Sequence, residues 1–331
     1  MRAAPRVGDA GAPHRGNIGA VVVTYHPDAG FGDRLEATAA QVAGLVVVDN
    51  SADDAVAELL RSAADRVGVQ LVRNAGNLGV AAALSVGVRW AVGRGYEWVL
   101  TLDQDTVPRP DLVDGLVTVF QGCEFKSRLG AIGANYINAF NSKVQFRAEW
   151  FHGRAWRECP TVITSGTLLS LAACDTVGLF RDEFFVDAVD HDYCLRLRAK
   201  GYRVVLSRDA LMEHSLGVFE RTRVLGKPIA YSLQAPARKY YITRNQLVLI
   251  REYLVREPRW ALDQVRCLIR DTARMLLFER SRLRKTAAVG LGVWHFLRRR
   301  MGALDARWVR RFDAREDDRR APGGRGRDDW A

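Results

Sequence analysis

The stretch Ile18-Gly-Ala-Val-Val-Val-Thr24 decides the fold class of this 331-residue chain. It is a short apolar run rich in valine and without alternation, which is typical of a strand buried on both faces of a parallel sheet. Leu45 to Asp49 repeats the pattern and, like the first run, ends in a polar residue. Together the two runs predict neighbouring strands that deliver polar groups to one edge of a sheet.

Helical spacing alternates with these strands along the first 120 residues. Helices are predicted at 35–43, 55–67, 79–92 and 111–120, and further strands at 69–73 and 98–102. This β-α alternation predicts an α/β fold with a doubly wound, mostly parallel sheet and helices on both faces. In such folds the ligand site lies at the carboxyl ends of the strands.

The later part of the chain divides less sharply. Shorter strands are predicted at 131–136, 144–148, 162–169 and 203–207, with a helix at 191–200, and the chain beyond Ala235 is mostly helical. We therefore predict a disordered lead (1–17), a catalytic domain (18–235), a basic C-terminal helical extension (236–312) and a disordered tail (313–331).

Composition limits the function classes. The net charge of +11 is concentrated in residues 251–311, which hold 16 Lys and Arg against 6 Asp and Glu. Five cysteines without a CxxC pair favour buried free thiols over a disulfide framework or a zinc site. No run reaches the roughly 18 apolar residues of a membrane span. We expect a cytoplasmic protein, with attachment to the inner face of the cell membrane left open.

The pair Asp103 and Asp105 is the strongest chemical signal. The two carboxylates are one residue apart at the end of the strand 98–102, where they can converge on a hard cation such as Mg²⁺ or Mn²⁺. A divalent ion held there can neutralise the diphosphate of a leaving nucleotide. A neutral imidazole from His214 can complete the metal shell, although a lone histidine is more often structural.

Two further segments point to a nucleotide. The carboxylate of Asp49 can accept a hydrogen bond from a pyrimidine imide or a ribose hydroxyl, and the alternative is a helix cap at Asn50 or Ser51. The segment Arg73 to Gly79 combines glycines with Asn74 and Asn77, so its backbone can approach a nucleotide closely.

Three acids, Asp187, Asp190 and Asp192, open a predicted helix. Some of them are expected to favour the helix dipole as N-terminal residues. A transfer that inverts an anomeric centre needs a carboxylate to take the acceptor proton, and Asp190 is our candidate for that base, with Asp192 as the alternative. Asp49, Asp103 and Asp190 are expected to share one rim of the sheet.

These segments together resemble the family-2 glycosyltransferases of the GT-A fold, and within them the bacterial rhamnosyltransferases of polysaccharide assembly. The resemblance runs from about Ile18 to Gly302. Its markers are Val-Thr-Tyr-His-Pro (23–27), Val-Val-Asp-Asn-Ser (47–51), Arg-Asn-Ala-Gly-Asn-Leu-Gly (73–79), Leu-Asp-Gln-Asp (102–105), Thr-Ser-Gly (164–166), Asp-His-Asp-Tyr-Cys-Leu-Arg (190–196) and Tyr-Tyr-Ile-Thr-Arg-Asn (240–245).

The resemblance implies a role for each marker. The donor, a nucleotide sugar such as dTDP-L-rhamnose, would be bound by Thr24, Tyr25, Asp49, Asn74, Asn77, Asp103, Gln104 and Arg244, with Asn245 also beside its phosphates. Asp103, Asp105 and His214 would bind the metal, and Asp190 would be the base. A saccharide or lipid-linked acceptor would contact Thr164, Ser165, Gly166 and Asp192. Related enzymes use UDP-galactofuranose or other sugars, so the donor stays open.

The C-terminal extension has two interpretations. Leu262, Val265, Ile269, Thr272 and Leu276 share one helical stripe flanked by arginines, and the apolar run 287–297 precedes Arg298. These helices can lie on a membrane surface or pack on the catalytic domain or a second subunit, as in a homo-oligomer. Neither interpretation is favoured by the sequence.

Other classes fit less well. Nucleic-acid binding suits a pI near 9.8, but no recognised reading motif accompanies the basic stretch, so no nucleic-acid partner is expected. A nucleotidyltransferase would have a Gly-rich basic loop after the first strand, and Thr24-Tyr-His-Pro27 is not one. A catalytically dead sugar-nucleotide-binding homologue is disfavoured because Asp103, Asp105 and Asp190 are all present.

Overall fold

The computed structural model describes residues 11–215, 217–224, 227–279 and 281–313 of the chain. The chain forms two compact units. The first unit comprises residues 1–182 and 189–216, and the second comprises residues 183–188 and 217–331. The boundary between the two units lies before residue 217, earlier than the predicted domain boundary at residue 235, and the catalytic and helical domains stay predictions.

The first unit begins with the predicted alternation of strands and helices. Its elements are β1 (Ile18–Thr24), α1 (Phe31–Ala39), β2 (Gly44–Asp49), α2 (Asp54–Val67), β3 (Gln70–Arg73), α3 (Val80–Gly93), β4 (Trp98–Asp103), β5 (Val107–Pro108), α4 (Leu112–Gly122), β6 (Leu129–Asn138), β7 (Lys143–Val144), β8 (Trp156–Glu158), β9 (Thr167–Ser170), α5 (Leu171–Val177), α6 (Val189–Ala199) and β10 (Arg203–His214).

The sheet of the first unit is mixed but mostly parallel, and the α/β GT-A-type fold is confirmed. Its strands run in the order β3-β2-β1-β4-β9-β6-β10-β5, with β7 paired to β6 and β8 paired to β10. Strands β1 to β4 are mutually parallel, and β9 is antiparallel to both of its neighbours. Thr24 pairs with Asp49, and Val23 pairs with Asp103. The carboxyl ends of three strands therefore meet at one edge.

Helices cover both faces of the sheet. Ala20 and Val22 of β1 join a core cluster with Leu35 of α1 and Leu60 of α2. Val21 points to the opposite face, because successive side chains of a strand alternate. There α3 packs so closely that a Cβ on Gly87 would lie 2.2 Å from Val21 Cγ1. The small residues of α3 thus bring that helix onto the strands that end in Thr24 and Asp49.

The predicted disordered lead is wrong for residues 11–17. The backbone N–H of Gly11 donates to Glu97 Oε2 over 2.7 Å, and the Trp98 indole N–H donates to Gly11 O over 2.9 Å. Arg15 forms an ion pair with Asp114. These partners lie 80 or more positions away, so local composition could not reveal them. Residues 1–10 and 314–331, where the rest of the lead and most of the tail were predicted, lie outside the described residues.

The second unit contains a hairpin and four helices in its described part, namely β11 (Val218–Val224), β12 (Lys227–Leu233), α7 (Pro236–Tyr253), α8 (Pro258–Phe278), α9 (Arg282–Leu297) and α10 (Ala306–Asp313). The predicted helical extension is present from Pro236, whereas the hairpin was not predicted. None of the described helices is both long enough and apolar enough to cross a bilayer.

Candidate active site

Three side chains meet where the carboxyl end of β4 turns into β5. Ligand atoms of Asp103, Asp105 and His214 all lie within 4.8 Å of one another. His214 Nε2 lies 3.8 Å from Asp103 Oδ2, and His214 Nδ1 lies 3.5 Å from Asp105 Oδ1. The imidazole is buried, whereas both carboxylates are partly exposed. The structure thus brings together the three residues predicted to bind a metal.

The topology explains how His214 reaches this group from 110 residues away. β5 pairs antiparallel with the end of β10, with Pro108 opposite Met212 and Val107 opposite Glu213. This pairing sets the end of β10 beside the turn that carries Asp105. Strand β10 was predicted to end at Ser207, but it continues to His214 through irregular pairing with β6. Those register shifts obscured the strand in the sequence.

The chemistry of these three side chains fits a divalent cation. Carboxylate oxygens and an imidazole nitrogen within 4.8 Å of one another can converge on a single cation. Two carboxylates and one neutral imidazole leave coordination positions for phosphate oxygens and water. Among the residues that the structure describes, this is the one group of acids and histidines arranged in this way.

Two buried hydroxyl groups support the candidate metal ligands through bonds to the His214 ring and to the Asp103 main chain. Thr106 Oγ1 lies 3.1 Å from His214 Nδ1 and also forms a hydrogen bond with Ser165 Oγ. Ser165 Oγ in turn accepts from the backbone N–H of Asp103 over 3.1 Å. A bond to Nδ1 fixes the ring orientation, and such outer partners are important to metal sites. Thr106 was missed in the sequence because nothing local links it to residue 214.

Ser165 and Gly166, which were predicted to contact the acceptor, pack against the Asp103 turn and Met212, and their contact with an acceptor stays a prediction. Both residues are buried, and the Ser165 hydroxyl serves the Asp103 turn instead. Gly166 has φ +69°, and a Cβ there would lie 2.3 Å from Met212 Sδ. Thr164 is partly exposed, so its contact with an acceptor stays a prediction.

Asp49 carries a carboxylate oxygen that has no hydrogen-bond partner. Its Oδ1 accepts from Thr24 Oγ1 and from the Ser51 backbone N–H, each over 3.0 Å. Its Oδ2 is buried without a hydrogen bond, and the Arg73 guanidinium lies 3.7 Å away. Buried polar atoms in folded proteins are nearly always bonded, so this oxygen marks a place for a ligand donor. Asp49 and Asp103 flank β1, with backbones roughly 10 Å apart.

The asparagines near Asp49 form a connected group. Asn74 Nδ2 donates to Asn50 Oδ1 over 2.8 Å, and Asn50 Nδ2 donates to Gly79 O over 3.1 Å. Asn77 Oδ1 accepts from the Gly79 N–H, while its buried Nδ2 has no hydrogen-bond partner. Asn50 is therefore more than a cap, because it ties β2 to the loop before α3. The Asn77 amide N–H can therefore donate to a ligand, and binding of the nucleotide sugar by Asn77 stays a prediction.

Gln104 supports the site without facing it. Its Oε1 accepts from the Tyr25 backbone N–H over 2.6 Å, and its Nε2 donates to Tyr25 O over 3.0 Å. Both polar ends of the side chain are thus occupied by the main chain after β1. Gln104 thus fixes the position of Tyr25, and its own contact with the donor stays a prediction.

Asp190 lies at the start of α6 and is partly exposed. Its charge acts on Tyr136, whose pKa is raised mainly by burial and further by this carboxylate. The Tyr136 ring in turn packs edge-on against His214, with 5.7 Å between ring centroids. One tyrosine thus links the candidate base to the imidazole of the candidate metal group.

Asp192 is a buried acid whose carboxylate is paired with arginines, and its role in acceptor binding stays a prediction. Its side chain is fully buried and forms ion pairs with Arg181 over 3.2 Å and with Arg196 over 2.8 Å. Burial raises the pKa of Asp192, and the two arginines oppose that effect. Burial and two ion pairs make the Asp192 carboxylate less accessible than that of Asp190, which favours Asp190 as the candidate base.

Arg244 and Asn245 hold a loop of the second unit, and their predicted contact with the donor phosphates stays a prediction. The five N–H groups of Arg244 face Asn245 Oδ1, Tyr240 Oη, Gly302 O, Glu183 O and Phe184 O. Asn245 Nδ2 lies within hydrogen-bond reach of Phe184 O, Val186 O and Asp187 O. Phe185, Asp187 and Ala188 have positive φ, so this loop needs such support. No guanidinium N–H is left for a phosphate.

Comparison with known proteins agrees with this geometry. The sequence pattern of Glycosyl transferase family 2 matches residues 20–167, which span β1 to the start of β9. Over 245 residues the chain is 29% identical to dTDP-rhamnosyl transferase RfbF of Shigella flexneri, covering 71% of this chain and 80% of that protein. Residues 20–167 thus resemble family-2 glycosyltransferases, and the chain is similar to a bacterial rhamnosyltransferase.

Solved structures show the same fold at low sequence identity. S. aureus TarS 1-349 in complex with UDP-GlcNAc has a TM-score of 0.52 and 14% identity, over 88% of this chain and 82% of that chain. The mannosyltransferase PcManGT from Pyrobaculum calidifontis, in complex with GDP-Man and Mn²⁺, has a TM-score of 0.52 and 18% identity, over 88% and 90%. Both support the GT-A fold.

Proposed function

We propose that this protein is a glycosyltransferase that moves L-rhamnose from dTDP-L-rhamnose to a saccharide or lipid-linked saccharide of the cell surface, with a divalent cation and with inversion at the anomeric carbon. The observation that carries the proposal is the group formed by Asp103, Asp105 and His214, at the same edge of the sheet as Asp49, whose Oδ2 has no hydrogen bond among the described residues. The dTDP-rhamnosyl transferase relative supports the choice of donor, and the Mn²⁺ of the mannosyltransferase supports the choice of ion.

The residues around Asp49 suit a thymine or uracil base. Its unpartnered oxygen is an acceptor, and a thymine or uracil imide N–H is the complementary donor. Cytosine presents a ring acceptor at the same position, so its nucleotide would be disfavoured. Thr24 and Ser51 hold the other oxygen, which orients the carboxylate without consuming its capacity to bind a ligand.

Asp103, Asp105 and His214 would hold the cation. That ion supplies positive charge against the diphosphate that leaves with the nucleotide. The protein contributes the preorganised ligands, because Thr106 and Ser165 fix the imidazole and the Asp103 turn before any substrate arrives.

Asp190 would accept the proton of the attacking acceptor hydroxyl. Asp190 lies in the first turn of α6 and is partly exposed. In the described part of the chain it has no ion pair with an arginine, in contrast to Asp192. The hydroxyl attacks the anomeric carbon from the face opposite the nucleotide, so one displacement inverts the configuration.

A donor panel tests the proposal. The purified full chain with Mg²⁺ is incubated with dTDP-rhamnose, UDP-galactofuranose, UDP-GlcNAc and GDP-mannose, and nucleotide diphosphate release is followed. We expect preferential turnover of dTDP-rhamnose. We also expect NMR of the product to show that the anomeric configuration is inverted. Preferential turnover of another sugar would reject the rhamnose donor, and retained configuration would reject the single displacement.

A further inference from the structure

The second unit exposes an unusual amount of apolar surface on α8. Leu262, Ile269 and Leu276 are 48%, 65% and 44% exposed. They recur every seven residues, so they form one row along the helix. The residues that α8 buries, Trp260, Ala261 and Met275, lie on another side of it. The row is therefore not the packed face of the helix.

A second exposed row lies on the neighbouring helix α9. Leu283, Trp294 and Leu297 are 88%, 49% and 65% exposed. Trp294 and Leu297 follow Leu283 by about three and four turns, which places all three on one face of the helix. The opposite face buries Ala288, Gly292 and His295, with Gly292 against the backbone of α7. Large apolar rows on two adjacent helices mark an interaction surface rather than scattered exposure.

Arginines border both rows. Arg259, Arg266 and Arg270 are exposed along one edge of the α8 row, and Arg298 to Arg300 are exposed directly after α9. Arg266 pairs with Asp263 and Arg270 with Asp271, each over 3.0 Å, and these pairs are exposed and therefore weak. The Arg298 guanidinium also stacks over the Trp294 ring at 4.5 Å. The surface combines apolar insertion groups with a surplus of positive charge.

We infer that α8 and α9 dock on an anionic lipid bilayer, with Leu262, Ile269, Leu276, Leu283 and Leu297 in the headgroup layer. Charge decides between a bilayer and a second copy of this chain. A two-fold dimer would set this basic surface against an identical one, whereas anionic headgroups complement it. A tryptophan beside an arginine also suits the membrane interface, where an apolar ring and a polar tip are both satisfied.

Vesicle sedimentation tests the inference, without any sugar nucleotide, so its result is independent of the transfer reaction. The full chain is mixed with phosphatidylcholine vesicles that contain either no phosphatidylglycerol or a substantial fraction of it. We expect binding to the anionic vesicles alone. The double variant Arg266→Gln with Arg270→Gln should bind roughly 25-fold more weakly, about fivefold for each charge near the surface. The matched control is Arg61→Gln, an exposed arginine of the first unit with an ion pair to Glu58.

The apolar contribution is tested separately. Ile269→Asn with Leu276→Asn should also abolish most vesicle binding, whereas Val92→Asn, an exposed apolar residue on α3, should leave it unchanged. Circular dichroism and sedimentation velocity on each variant establish that the fold is kept. Vesicle binding equal to wild type in both double variants would overturn the inference. So would a dimer of the wild type that these substitutions dissociate without altering vesicle binding.

Discussion

The Thr106 hydroxyl lies 3.1 Å from Nδ1 of His214, at the base of the group that includes Asp103 and Asp105. Thr106 also bonds to Ser165, whose hydroxyl accepts from the Asp103 backbone N–H. A histidine from the end of β10 and an aspartate from the end of β4 are thus held by one chain of hydroxyl groups. That arrangement makes Thr106 a positioning residue for the metal ligands.

Thr106→Val should weaken Mn²⁺ binding about 10- to 100-fold, because it keeps the side-chain volume but frees the imidazole to rotate. Isothermal titration with Mn²⁺ measures the affinity directly. Thr118→Val is the matched control, since the exposed Thr118 hydroxyl bonds only within α4, to Asp114 O, among the contacts described. Equal Mn²⁺ affinity in the Thr106 variant and the wild type would remove Thr106 from the metal site.

Asp49→Asn should weaken dTDP binding about 10- to 100-fold, because an amide nitrogen in place of the free oxygen would face the imide N–H of thymine. CDP provides the internal comparison, since its base lacks that N–H. Calorimetric titration of both nucleotides into the wild type and the variant should show that the difference in affinity between dTDP and CDP becomes smaller in the variant. An unchanged difference in affinity would mean that the base does not bind at Asp49.

Substitutions at Asp190 and Asp192 should have opposite consequences. Asp190→Asn should abolish transfer while leaving dTDP affinity and unfolding unchanged, because the residue is partly exposed and is proposed to act on the acceptor proton alone. Retained transfer in this variant would exclude Asp190 as the base.

Asp192→Asn should instead destabilise the fold by about 3 kcal/mol, because Arg181 and Arg196 would lose their buried counter-ion. Urea denaturation measures the free energy of unfolding. An Asp192 variant as stable as the wild type yet inactive would restore this residue as a candidate base.

Arg244→Lys should destabilise the chain by roughly 2–4 kcal/mol, since an ammonium has three donors where the guanidinium uses five in different directions. Measured below the unfolding transition, its dTDP affinity should match the wild type. A stable variant with weakened dTDP binding would instead support the phosphate contact that the family resemblance implied.

The sequence was sufficient wherever the deciding signal was local. Val-rich runs that end in Thr24, Asp49 and Asp103 predicted three adjacent parallel strands with polar ends at one edge, and those strands are present. The grouping of Asp103 with Asp105 followed from their closeness in sequence, whereas His214 joins them through the pairing of β5 with β10, and metal binding by the three stays a prediction.

The sequence failed where side chains are used by partners far along the chain. Arg244 and Asp192 have the residue types of a binding site. The Arg244 guanidinium, however, donates to the carbonyl oxygens of Glu183, Phe184 and Gly302. The Asp192 carboxylate forms ion pairs with Arg181 and Arg196. The hairpin of β11 and β12 and the long β10 were missed for a related reason. Strand pairing and bulges depend on the partner strand, which local periodicity does not record.

The central claim is that Asp103, Asp105 and His214 bind one divalent cation beside the nucleotide. Electron paramagnetic resonance of Mn²⁺ titrated into the full chain with saturating dTDP tests it most directly. We predict a single bound Mn²⁺ per chain, lost in Asp105→Asn and kept in Asp33→Asn, an exposed acid on α1. Mn²⁺ binding by the Asp105 variant at wild-type affinity would contradict the account.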